Sequence, residues 1–213
     1  MIRSTLLFAG LSLGLGLAQA ATEVLPTSYT LDQATSCGTY CYHDGGQELT
    51  DGRYGVAGWA ADLGNGPAAE WVGWSGQPIV NIDFSFAGPV AVDTVAFGTT
   101  QNRVDDVVLP SLEVFAWVAG AWQSVGTLNT PEDSARDVDP SNTSAHGFLT
   151  LSGLGIVSDR IRVQARFSSD GPWTFVDEVD FYAPVPEASA GGMALASLPL
   201  VWAASRCRKR RHS

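Results

Sequence analysis

The chain has 213 residues, a formal net charge of -10 and only 16% charged residues. An acidic balance of this kind excludes a body built to hold nucleic acid or anionic lipid, because such partners need a basic stripe. Three cysteines are too few for a disulfide-dense scaffold.

The chain opens with Arg3, an apolar run over residues 6–17 and the small-residue pattern Ala18-Gln19-Ala20. That order of charge, short apolar segment and cleavage site is read as a secretory signal peptide over residues 1–20. Residues 22–183 form the exported body, about 160 residues long and sufficient for one domain with a sizeable core. Its cations are Arg53, Arg103, Arg136, Arg160, Arg162 and Arg166, with no lysine, while nearly all the acids of the chain fall within it. Spare carboxylates of this sort suit a hard cation. Within the body, Cys37 and Cys41 are close enough to staple a short loop, and export favours a disulfide over a metal site lacking further ligands.

Turn signals then separate short strands. Residues 27–31 are a first strand, and residues 36–74, rich in Gly, Asp and aromatics, read as long loops with short strands. Residues 79–86 alternate, with Val80, Ile82, Phe84 and Phe86 on one face. Gly88-Pro89 is expected to turn the chain into a strand over residues 90–99. Residues 111–119 and 122–128 flank a hairpin at Gly120-Ala121, with Trp117 and Trp122 as a cross-strand pair. A polar, acidic loop over 129–145 follows, then strands at 148–151, 160–167 and 173–182, the second with Ile161, Val163, Ala165 and Phe167 inward. Roughly eight strands and no helical periodicity predict an all-β, antiparallel β-sandwich.

The tail, residues 184–213, has a different character. Val185-Pro186-Glu187 precedes an apolar segment over residues 188–204, and Arg206-Cys207-Arg208-Lys209-Arg210-Arg211 ends it. The apolar run approaches the roughly 20 residues of a spanning helix, and the basic end would stay on the cytoplasmic side. These features resemble the PEP-CTERM sorting signal of Gram-negative bacteria, with Ala188 where that family has a second proline. The resemblance implies a C-terminal hydrophobic helix inserted in the membrane before processing, an exosortase-type processing partner, and an address at the cell surface or in the extracellular matrix. An ordinary C-terminal membrane anchor is the alternative.

In the body, Leu49-Thr50-Asp51-Gly52, the strand 79–86, the hairpin 112–128, the strand 160–167 and the close Val176-Asp177-Glu178-Val179-Asp180-Phe181-Tyr182 follow one another. This succession resembles the discoidin (F5/8 type C) and galactose-binding-like jelly rolls, a group that includes many carbohydrate-binding modules. The resemblance implies one structural calcium ion held by Asp51, Glu178 and the carbonyl of Leu49, although residues 53–57 lack the Ser or Thr often found after the Asp-Gly turn. The alternative is that Asp51 caps a turn and Glu178 is a solvated strand residue.

A ligand face is expected where Trp59 and Trp173, with Trp71 and Trp74 nearby in sequence, lie beside His43, Asp44, Arg103 and Asp170. Aromatic rings suit the apolar faces of sugars, and the polar neighbours suit their hydroxyls; equally, tryptophans beside core strands serve as core. No nucleophile with an adjacent base, acid pair or phosphate loop stands out. The expected function is therefore non-catalytic binding of an extracellular glycan such as an exopolysaccharide. A structural or adhesion protein with a protein partner is the alternative.

Overall fold

The computed structural model describes residues 20–55, 59, 70–101, 107–129, 146–167 and 173–185. Residues 21–184 form one compact unit. Nine strands are present among the described residues: β1 (Ser28–Leu31), β2 (Val72–Ser75), β3 (Ile79–Val92), β4 (Thr94–Thr99), β5 (Ser111–Val118), β6 (Ala121–Leu128), β7 (Gly147–Leu151), β8 (Ile156–Arg166) and β9 (Trp173–Tyr182). They form a five-stranded sheet in the order β1-β3-β8-β5-β6 and a four-stranded sheet in the order β2-β9-β4-β7. All paired strands run antiparallel. The fold is an antiparallel β-sandwich. No described helix is long and apolar enough to cross a membrane; the signal segment, Pro186, Glu187 and the rest of the tail lie outside the described residues.

Alternation builds the core from both sheets. Val80, Ile82 and Phe84 from β3 and Ile161 and Val163 from β8 are fully buried against Val95 and Phe97 from β4 and Val179 and Phe181 from β9. Phe84 and Phe181 meet edge to face across the sheets, ring centroids 4.8 Å apart, an arrangement the ring quadrupoles favour. The expected inward face of residues 79–86 is therefore correct, as is that of β8.

Gly88-Pro89 does not end its strand. The chain continues through it as β3, with a register shift between Ser85 and Val90 against β8. A proline has no N–H to give the ladder, and an irregularity of this kind is where a sheet can hold one. The break comes instead at Asp93, whose N–H donates to the Tyr182 carbonyl while its carbonyl accepts from Leu154. There the chain leaves the five-stranded sheet and enters the four-stranded one.

The hairpin also differs by one residue. Trp117 pairs Trp122 and Val118 pairs Ala121, so the two-residue loop is Ala119-Gly120. Both have positive φ, 51° and 85°, as a type I′ turn requires. Ala119 is the only non-glycine described with positive φ, a conformation in which its Cβ crowds the backbone. Ala119→Asn should raise stability by about 0.5–1 kcal/mol, or a Tm increase of about 1–4 °C. Thermal unfolding of the two proteins checks it, and an unchanged or lower Tm would contradict the assigned turn.

Candidate functional site

β9 is buried along nearly its whole length, from Thr174 to Phe181, as its neighbours β2 and β4 are along most of theirs. Its inner face carries Val176, Val179 and Phe181 into the main core. Between them the ladder slips: Phe97 pairs Val179, but Thr99 pairs Val176, so two steps on β4 match three on β9. A bulge of this sort turns two successive side chains away from the core. The outer face thus presents Trp173 and Phe175, then Asp177 and Glu178, then Asp180. The described part of residues 35–59 supplies its cover.

The cover is fastened at one end by aromatic rings. Trp59 stacks on Phe175 at 5.2 Å and 12°, and Trp173 stacks on Phe175 at 5.4 Å and 6°. Tyr42 stands edge-on to both Phe175 and Trp173, and its hydroxyl donates to the Trp59 carbonyl. A side chain on Gly73 would collide with Phe175, and one on Gly55 with the Trp71 ring. These glycines let the cover lie directly on the sheet. Phe175 is fully buried, whereas Trp59 and Trp173 are half-buried at the margins of the stack.

Towards the other end the fastening is polar. The Gly52 N–H donates to Glu178 Oε2 at 3.0 Å, the Tyr54 hydroxyl to Asp180 Oδ2 at 3.0 Å and the Gly55 N–H to Asp177 Oδ2 at 2.6 Å. His146 Nδ1 also meets Asp177 Oδ2. Tyr182 adds its hydroxyl to Asp180. Gly98 leaves the space that Asp177 Oδ1 occupies. All three carboxylates are at most 2% exposed, and for Glu178 and Asp180 burial disfavours the charged form. Burial pushes the Glu178 carboxyl up to about 8, with the charges of Asp180, Asp51 and Asp177 adding to the rise. Burial likewise raises Asp180, against the hydrogen bonds from Tyr54 and Tyr182.

The residues expected to hold calcium do converge at this junction, and each already serves the protein. Leu49 is fully buried and its carbonyl accepts from the Val179 N–H. Asp51 accepts from the Arg53 N–H, which caps its own turn. Glu178 is neither exposed nor solvated but holds Gly52. Each oxygen keeps lone-pair capacity, yet no group of three His, Cys, Asp or Glu side chains converges on a metal position among the described residues. The donor set therefore fits a cation only in part.

The expected ligand face is partly assembled. Trp59 and Trp173 are brought into one stack. Trp74 belongs to the main core and Trp71 to the cluster beneath the cover, both buried. His43 is exposed and faces the Thr35 hydroxyl at 3.4 Å; Arg103 and Asp170 lie outside the described residues. Cys37 and Cys41 form the expected disulfide, closing a loop within the cover. Tyr54, Gly55, His146, Asp177 and Asp180 were not legible as site residues. The one signal was the pair Asp177-Glu178 interrupting the alternation of β9.

No family model matches the sequence, and no curated protein matches it. Solved structures do match the fold. A truncated AlyQ with CBM32 and alginate lyase domains superposes with a TM-score of 0.50 and 12% identity over 80% of this chain. This chain spans 35% of that structure. The family 32 carbohydrate-binding module of C. perfringens NanJ, in complex with galactose, gives 0.48 and 14%, covering 76% of this chain and 99% of that one. XRCC1 bound to the DNA polymerase β catalytic domain gives 0.46 and 11%, covering 77% and 100%. At these identities the likeness is one of fold alone, that of a β-sandwich.

The polar fastening makes stability depend on pH in a defined direction. Glu178 is protonated in the folded state up to about pH 8 but has an ordinary value of 4.5 when solvated. Folding takes up a proton between those values, so this group's contribution falls as pH rises from about 4.5 to 8 and levels off above. Glu178→Gln keeps an acceptor for Gly52 and should flatten that part of the profile. Denaturant midpoints at pH 5, 6.5 and 8 measure it, and equal slopes in the two proteins would refute the assignment.

Proposed function

We infer that the protein is an exported, non-catalytic module that binds an extracellular glycan at the Trp59–Phe175–Trp173 end of its covered sheet. The carrying observation is the stack itself: a buried phenylalanine holds two half-exposed indoles in fixed, parallel orientation. Rings held rigidly by packing can meet the apolar face of a sugar without losing further side-chain freedom. The likeness in fold to carbohydrate-binding modules supports this reading, and an exopolysaccharide of the producing cell is the ligand that the sorting-like tail favours. In this proposal residues 1–20 direct export, Val185-Pro186-Glu187 and the segment that follows are recognised by an exosortase-type enzyme, and the body reaches the cell surface or matrix.

Calcium belongs to the same proposal. An ion held by Asp51, Glu178 and the Leu49 carbonyl would supply positive charge beside three buried carboxylates. Glu178 would then ionise at lower pH. Added calcium should raise Tm more at pH 8 than at pH 5, and chelator should reverse the gain; identical Tm values with calcium and with chelator would remove the ion from the proposal.

Binding is tested with the purified full chain on immobilised neutral and acidic polysaccharides. Trp173→Ala and Trp59→Ala should each weaken retention by roughly tenfold, the loss of one stacking contact of about 1–1.5 kcal/mol. Circular dichroism controls for folding. A folded wild-type protein retained on no glycan would favour the other class of partner, a protein of the extracellular matrix. Val157, 70% exposed on β8, is the apolar side chain such a partner would cover first.

A further inference from the structure

The five-stranded sheet turns a second face outward, and this face has a different chemistry from the covered one. On β3 up to Ser85, on β5 up to Trp117 and on β8 from Arg160, its outward side chains are half-buried or exposed and alternate with the core. Three of the six arginines of the body, Arg160, Arg162 and Arg166, stand together on this side of β8. Arg162 forks onto Asp83 through Nε at 2.6 Å and Nη2 at 2.8 Å, and Arg166 reaches Glu113 at 3.5 Å. The acids on the strands beside β8 are thereby matched. Arg160 has no carboxylate partner among the described residues, although Asp159 lies exposed beside it in sequence.

Aromatic rings hold these guanidinium groups in place. Arg160 lies over the Trp117 ring at 4.2 Å and Arg162 over Trp122 at 4.6 Å. The two indoles meet edge to face at 5.1 Å across the β5–β6 hairpin. A guanidinium stacked on a ring keeps its N–H edge free and has already lost the freedom that binding would otherwise cost. Beside it Gln164 donates to Asn81, which donates to Asp32. The Gln164 Oε1 atom is buried without a partner. A strip of indole, guanidinium and amide groups therefore crosses four strands, β6, β5, β8 and β3, and Arg160 is its one guanidinium without a carboxylate partner among the described residues.

The geometry points to this strip as a second binding surface, separate from the Trp59–Trp173 stack, for a carboxylate-bearing polysaccharide. Guanidinium matches a carboxylate in two parallel hydrogen bonds, the indole edge and face match a sugar ring, and the amides match hydroxyls. The acidic body repels a polyanion at long range, but that repulsion is screened beyond about 8–10 Å at physiological salt. Attraction at the strip operates at contact. Nucleic acid, with denser charge, meets stronger repulsion from the acidic body.

The test is affinity electrophoresis of the full chain through gels containing polygalacturonate or its carboxyl-reduced counterpart. Polygalacturonate should retard the protein, and the reduced polymer should retard it much less. Arg160→Gln, an exposed change with no core contact, should weaken the interaction roughly tenfold, as for one charge-assisted pair. Arg160→Lys should recover only part of it, because an ammonium lacks the fork. Trp173→Ala should leave polygalacturonate retardation unchanged. Equal retardation by both polymers, or an Arg160→Gln protein that binds like the wild type, overturns the proposal. Loss on Trp173→Ala without loss on Arg160→Gln would overturn it while sustaining the site at the stack.

Discussion

Three carboxylates inside a strand buried on both faces set the terms for the rest of this domain. Asp177, Glu178 and Asp180 cannot reach bulk water, and a buried acid without donors is strongly unfavourable. Gly52, Tyr54 and Gly55 supply those donors from a segment far away in sequence. The cover is therefore required by the strand, and the strand by the cover. Gly98 and the bulge opposite it make the arrangement sterically possible. Asp177 Oδ1 and Asp180 Oδ1 nevertheless remain without partners in the described structure, so the acid row retains unused acceptor capacity.

The same cover explains why the two outer faces of the sandwich differ. Over the four-stranded sheet, the segment that meets the carboxylates also brings Tyr42 and Trp59 onto Phe175. Aromatic area there is consumed in packing, apart from the margins of two indoles. Over the five-stranded sheet, residues alternate between core and solvent. Its tryptophans engage arginines instead of other core groups.

Much of the fold was legible because strands with one solvated face announce themselves by alternation. Residues 79–86 of β3 and 161–165 of β8 follow that rule, and their inward residues were identified from period alone. β9 obeys it only in part: being covered on both sides, it places Phe175 outside the main core and two acids in succession. Local signals also misplaced the Gly88-Pro89 turn, since a bulge and a turn call for the same residues. The site was harder still. Asp51 and Glu178 could be named from a resemblance, but the donors from Tyr54 and Gly55 and the role of Gly98 depend on pairings across the whole chain. No local pattern encodes a hydrogen bond between residues 55 and 177.

That separation has a consequence for how the chain acquires its structure. Gly52 and Glu178 are 126 residues apart, and the cover lies near the beginning of the domain while β9 closes it. If synthesis and export proceed from the N-terminus, the cover emerges first but has nothing to settle on until the final strand arrives. Contacts of such long sequence separation form late and slowly, because loop closure must precede the interactions that reward it. The four-stranded sheet, with β9 between β2 and β4, likewise cannot be completed early. Among the described pairings only β5–β6 joins strands adjacent in sequence, so the tight Ala119-Gly120 turn closes the one pairing that waits for no distant segment.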